Sequence, residues 1–145
     1  MNVNPNVTDP TWQHFRDIIY VGDFERASEM LSEKPALLHM MNSIGETALH
    51  FLAVENDLDG VAWLHARGAD LDTKNSFGQP VIFEVASLGY KELFTWFRDK
   101  GADLRATDND GNDIVMHLLE YDCNEMAEWV RKHGPNKSLE RTRDK

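Results

Sequence analysis

Apolar residues along this chain come in paired short runs. Ala48-Leu49-His50-Phe51-Leu52-Ala53 and Val61-Ala62-Trp63-Leu64 are separated by a polar step at Asn56, and the arrangement recurs downstream. Each pair reads as helix, turn, helix. The spacing is fixed: Gly45, Gly78 and Gly111 stand 33 residues apart, as do Gly68, Gly101 and Gly134, and Trp63, Trp96 and Trp129. Leu64, Phe97 and Val130 keep the same interval, with Ala53, Ala86 and Leu119, and Asn42, Asn75 and Asp108. A period of this size marks stacked structural units, none of which buries its apolar face alone.

Turn chemistry supports the division. Gly22, Asn56, Gly89 and Asp122 fall between the two helices of successive units, and these residue types enter the left-handed region at low cost. Gly68, Gly101 and Gly134 follow the second helix, where a left-handed glycine lets the chain reverse. Thr47 and Asp113 stand where first helices begin and offer an oxygen to free amides, whereas Pro80 leaves the middle unit without a side-chain cap.

Thr47-Ala48-Leu49-His50, the preceding Gly45, the tripeptides Gly68-Ala69-Asp70 and Gly101-Ala102-Asp103 and the 33-residue period together resemble ankyrin repeats. The resemblance is close over 42–134. Upstream, Phe15, Ile18, Ile19, Gly22-Asp23, Leu31, Pro35 and Leu37-Leu38 resemble a first unit with one extra residue. It implies an all-α solenoid of about four stacked helix-turn-helix units with projecting hairpin loops. Helix pairs are expected at 11–34, 47–66, 80–99 and 113–133, in repeats of about 11–41, 42–74, 75–107 and 108–134. An N-terminal arm, 1–10, precedes them and a flexible tail, 135–145, follows. The expected core is Phe15, Ile18, Leu49, Ala53, Val61, Trp63, Leu64, Ile82, Ala86, Trp96, Phe97, Val115, Leu119 and Trp129. The Trp series falls where the family has a buried leucine, which favours packing over recognition, and Trp12 is expected to cover the N-terminal end. In this family the motif histidine tethers neighbouring hairpins. Here it survives only as His50, with Phe83 and Met116 at the matching places, so the later junctions should rely on apolar packing.

Charge narrows the partner. Fifteen basic against 25 acidic side chains give a formal net charge of −10, and this balance with scattered basic residues argues against phosphate-driven nucleic-acid binding. A basic protein is the class this charge attracts. One cysteine, Cys123, builds neither a disulfide framework nor a thiolate zinc site, so a reduced cytoplasmic setting is expected. The first ten residues lack the pattern of a signal peptide, and no apolar run approaches the ~18 residues of a membrane span.

Catalytic, metal and cofactor chemistry has little to stand on. His14, His39, His50, His65, His117 and His133 follow no metal-ligand spacing and, His50 apart, read as solvated or half-buried. Asp108-Asn109-Asp110-Gly111-Asn112-Asp113 has a calcium-loop look, but its glycine comes fourth and Leu119 stands where a bidentate glutamate is required. No phosphate loop or nucleophile constellation is present. The expectation is therefore no enzyme, no metal and no cofactor.

The leading function is a non-catalytic module binding another protein through a concave face. The alternative is an acidic inhibitor or immunity-type protein neutralising a basic enzyme or toxin, and the third is an enzyme on a repeat scaffold. A monomer without nucleic-acid or membrane partners is expected, with self-association as the competing use of the surface. The resemblance puts the contact positions beside the hairpin glycine and at the end of the first helix: Tyr20 and Val21, then Ile44, Glu46, Val54 and Glu55, then Phe77, Gln79 and Leu88, then Asp110, Asn112 and Tyr121. Ile44 and Phe77 share one position and Leu88 and Tyr121 another, so stacking at about 10 Å per unit would align them into an apolar ridge. Glu46, Glu55, Asp110 and Glu120 would form its acidic rim.

Overall fold

A computed structural model describes residues 8–134. Four helix pairs follow one another: α1 (Pro10–Tyr20) with α2 (Phe24–Glu33), α3 (Ala48–Val54) with α4 (Leu58–Ala66), α5 (Val81–Ser87) with α6 (Lys91–Asp99), and α7 (Ile114–Glu120) with α8 (Asn124–His133). A short 3-10 helix, Pro35–Leu38, follows α2. The fold is an all-α stack of helix-turn-helix units. Among the described residues the hairpins contribute isolated antiparallel bridges, Met41 with Thr47 and Lys74 with Pro80, and no strand. The first seven residues of the expected arm, and all of the expected tail, lie outside the described residues.

Local chemistry sets the element ends. Thr47 accepts from the His50 amide and Asp113 from that of Met116, while Pro80 makes no cap bond. Gly22, Asn56, Gly89 and Asp122 all adopt positive φ, at 84°, 59°, 76° and 60°. This ends each first helix and turns the chain into the second. Gly134 differs from expectation: at φ −68° it continues the right-handed conformation of α8. Asp57 caps α4 through the Gly60 amide. Burial pushes its carboxyl above the ordinary value, with the Gly60 hydrogen bond opposing and Asp59 adding to the rise.

Packing is tighter on one side of the stack. First helices of successive units lie directly on one another, α1 on α3, α3 on α5 and α5 on α7, whereas successive second helices stand further apart. The stack therefore curves towards its first helices. Across the wider gaps reach the tryptophans: Trp63 stacks on Phe24 of α2 at 5.6 Å, Trp96 meets His65 of α4 edge-on at 5.5 Å, and Trp129 meets Phe94 of α6 at 5.4 Å. A leucine at these positions would be too short to make such bridges. All three are half-buried rather than interior, as are Ile18 and Val115. Trp12 is also differently placed, being fully buried against Phe51, with ring centroids 6.0 Å apart, rather than covering an end. Leu119 is 41 % exposed and Met116 53 %. Their counterparts Ala86 and Phe83 are buried in the middle of the stack, but among the described residues no unit lies beyond α7 to cover them.

Candidate partner-binding face

The recurring Asn42, Asn75 and Asp108 build the hairpins. Each Oδ1 accepts two backbone amides of its own loop: Ile44 at 3.1 Å and Glu46 at 2.9 Å, Phe77 at 2.9 Å and Gln79 at 3.2 Å, Asp110 at 2.9 Å and Asn112 at 3.0 Å. These bonds fix the loop and leave residues 44, 77 and 110 at equivalent tips. Successive hairpins are joined, the Ser76 amide donating to the Ile44 carbonyl at 2.8 Å and Asn109 Nδ2 to the Phe77 carbonyl at 3.1 Å. A Cβ at Gly45 would lie 2.7 Å from the Ser76 nitrogen and one at Gly78 would overlap Asn109. Glycine is therefore needed there for close approach as well as for positive φ.

The second polar atom of each loop residue reaches further. Asn42 Nδ2 donates to Glu46 Oε1 at 2.8 Å, Asn75 Nδ2 to Glu84 Oε1 at 2.7 Å, and His117 Nδ1 to Asp108 Oδ2 at 2.9 Å. The last assignment follows from chemistry, since an ionised carboxylate only accepts. Burial alone would raise the Asp108 carboxyl. Bonds from His117 and from the amides of Asn112 and Asp110 outweigh that and hold it below the ordinary value. His117, expected to be solvated or half-buried, is buried between Phe83 and Tyr121, with ring centroids at 5.0 and 4.8 Å. The last junction is thus partly polar, and the histidine that serves it sits one residue past the place the motif assigns.

His50 does not make the expected loop tether. It is fully buried, but neither ring nitrogen has a hydrogen-bond partner among the described residues. Glu46, expected on an exposed rim, is only 6 % exposed because Asn42 draws it in beside His50. The remaining expected contacts divide into groups. Val54, Gln79, Leu88 and Tyr121 line one open cleft of about 340 Å³ between the ends of α3, α5 and α7. The Tyr90 hydroxyl donates to the Val54 carbonyl at 2.9 Å and ties the α5–α6 turn to the end of α3. Ile44 and Phe77 lie outside this lining on the hairpin tips, Phe77 being 63 % exposed. Tyr20 and Val21 are exposed at the end of α1. Glu55 and Asp110 are exposed, while Asn112 is half-buried and donates to Glu120 at 2.5 Å.

Glu84 and His117 also line the cleft, neither being among the contact positions that the repeat pattern implies. A signal for Glu84 existed: it is the one charge inside the apolar run Val81-Ile82-Phe83-Glu84-Val85-Ala86, all of whose other members are buried. His117 had no comparable signal, since the matching residues are Phe51 and Glu84.

Helix pairs in register, joined through hydrogen-bonded hairpins and packed first helix on first helix, define a repeat solenoid. Residues 49–98 match the family model described as ankyrin repeats, many copies, and this match supports an ankyrin repeat protein. No curated protein matches it. Ankyrin repeats are generally protein–protein interaction modules, and the family is typically non-catalytic. No helix among the described residues is long and apolar enough to cross a membrane.

Proposed function

We propose that this chain is a non-catalytic binding module that holds a protein partner against its first-helix side, with repeats divided at about 11–41, 42–74, 75–107 and 108–134. One observation carries the reading: Leu88 and Tyr121 are exposed apolar side chains lining an open cleft, and Ile44 and Phe77 are exposed on the hairpin tips, in a molecule whose other large hydrophobics mostly pack into its core. Isolated exposed hydrophobics need no explanation, but a row along one face matches an interaction site with aromatic anchors. Glu55, Asp110 and Glu120 surround the row with exposed negative charge. With a formal net charge of −10, the matching partner surface is apolar at its centre and basic at its edge. Occlusion of a basic enzyme or toxin would use the same face and would differ in one readout, stoichiometric loss of the partner's activity.

A photo-crosslinking residue placed at position 77 or 121 tests the face. Adducts to a defined protein are expected from both positions in a lysate of the source cells, and none from control positions 92 and 125 on the second helices. Adducts from the controls alone would reject the reading.

A further inference from the structure

Three side chains from two successive units converge beneath the cleft. His50 Nε2 lies 3.2 Å from Glu84 Oε1 and 4.0 Å from Glu46 Oε2. Neither approach has hydrogen-bond geometry, and Nδ1 is equally unpartnered. A fully buried imidazole with two unsatisfied nitrogens is costly, and such groups in native structures call for an explanation. The carboxylates add to the problem. Both are oriented by hairpin amides, Glu46 by Asn42 and Glu84 by Asn75, yet no Lys or Arg among the described residues pairs with either. Two largely buried carboxylates thus face the imidazole with no Lys or Arg beside them, an arrangement that a bound cation would satisfy.

We propose that Glu46, His50 and Glu84 form a binding site for one divalent transition-metal ion of the zinc type. A tetrahedral ion with ligands at about 2.0–2.2 Å holds its donors roughly 3.3–3.5 Å apart. The separations of 3.2 and 4.0 Å bracket that spacing. One donor atom from each residue lies within 4.8 Å of the others. One imidazole nitrogen with two carboxylate oxygens suits zinc, whereas calcium requires six to eight oxygens. Asn42 and Asn75 hold the carboxylates in place, the role that hydrogen-bonding neighbours play around metal ligands. Glu84 lines the cleft, so an ion has a path from solvent and water completes the fourth position. Bound there, the ion joins the 42–47 hairpin and α3 to α5 across a repeat junction. The exposed grouping of Asp108, Asp110 and Glu120 is the competing site, but Asp108 is already occupied by His117 and two amides.

The test uses the full chain stripped with a chelator and titrated with zinc chloride by calorimetry and thermal unfolding, then with cobalt(II) by visible absorption. One zinc equivalent is expected, with an unfolding midpoint that rises with free zinc and the intense cobalt bands of a tetrahedral centre. Glu84→Gln should weaken zinc at least tenfold and abolish those bands while the metal-free variant keeps its helical circular dichroism. Glu46→Gln, from the other unit, should do the same, and serves if Glu84→Gln fails to fold. Asp110→Asn should leave affinity unchanged. Absence of stoichiometric zinc binding to the folded wild type overturns the proposal, as does undiminished binding by a folded Glu84→Gln or Glu46→Gln variant. Loss of the equivalent in Asp110→Asn would place the ion on the exposed acidic tip instead and also overturn it.

Discussion

The two sides of the stack use aromatic residues in opposite ways. On the second-helix side Trp63, Trp96 and Trp129 keep the 33-residue period, and each is spent on the unit before it. Two of them are covered further: Arg67 lies 3.9 Å over Trp63, His133 stacks on Trp129 at 4.7 Å and Lys91 approaches that ring at 5.8 Å. On the first-helix side Phe77 and Tyr121 are 63 % and 58 % exposed, and Tyr121 lines an open cleft. Period alone therefore does not separate the two sets, since Phe77 and Tyr121 also stand at repeat positions; what separates them is exposure. A stripe of tryptophans at repeat spacing is the more conspicuous pattern in the sequence and the less available one in the fold.

Deletion of aromatic rings should separate the two roles. Trp12→Ala, which removes a fully buried side chain, is expected to lower unfolding free energy by about 3–5 kcal/mol in urea titrations. Taken as a core residue, Trp96 would be assigned a similar loss. Its half-buried position reduces the expected loss to about 2–3 kcal/mol, and a loss below 1 kcal/mol would mean that the bridge to His65 does not hold the units together. His117→Ala removes a ring packed on Phe83 and Tyr121 and leaves Asp108 one donor short, so about 2 kcal/mol should be lost. Phe77→Ala, at the other extreme, should change stability by less than about 0.5 kcal/mol. A large loss there would make Phe77 a packing residue and erase the contrast.

Acid titration adds a comparison between two amide-capping carboxylates, Asp108 of a hairpin and Asp57 at the start of α4. The folded Asp108 carboxyl lies below its unfolded value, so its contribution is complete above the ordinary carboxylate range near 3.9 and is lost as pH falls through the lower folded value. Asp108→Asn should therefore cost about 1 kcal/mol at neutral pH and flatten the acid limb of stability against pH. Asp57 has the opposite sign. Its folded carboxyl is raised, so the charged form opposes folding above that value and the opposition is relieved on acidification. Asparagine caps as well as aspartate, and Asp57→Asn should stabilise the protein by roughly 0.5 kcal/mol at neutral pH. Denaturant midpoints at neutral and acid pH check both.

Much of the fold was legible because repeat spacing, caps and turns are local. Thr47, Asp113 and the four left-handed turn residues act in the structure as their chemistry predicts. Burial was harder to read because it depends on neighbours. Ala86 and Leu119 are equivalent in the repeat, but only Ala86 has a following unit to cover it among the described residues. The candidate site was legible in the same uneven way. Val54, Gln79, Leu88 and Tyr121 do meet in one cleft, but Glu46 turns inward through its bond to Asn42, a contact that a repeat alignment does not show. Glu84 and His50 come together from different units, so no linear spacing records their meeting.

The direct test of the central claim is the affinity of the crosslinked partner, once identified, for wild type and for the Phe77→Ala/Tyr121→Ala double variant. A loss of at least 2 kcal/mol, about thirtyfold in Kd, is expected with the helical circular dichroism unchanged. An unchanged Kd in the folded double variant would contradict the account and move the binding surface away from the first-helix side.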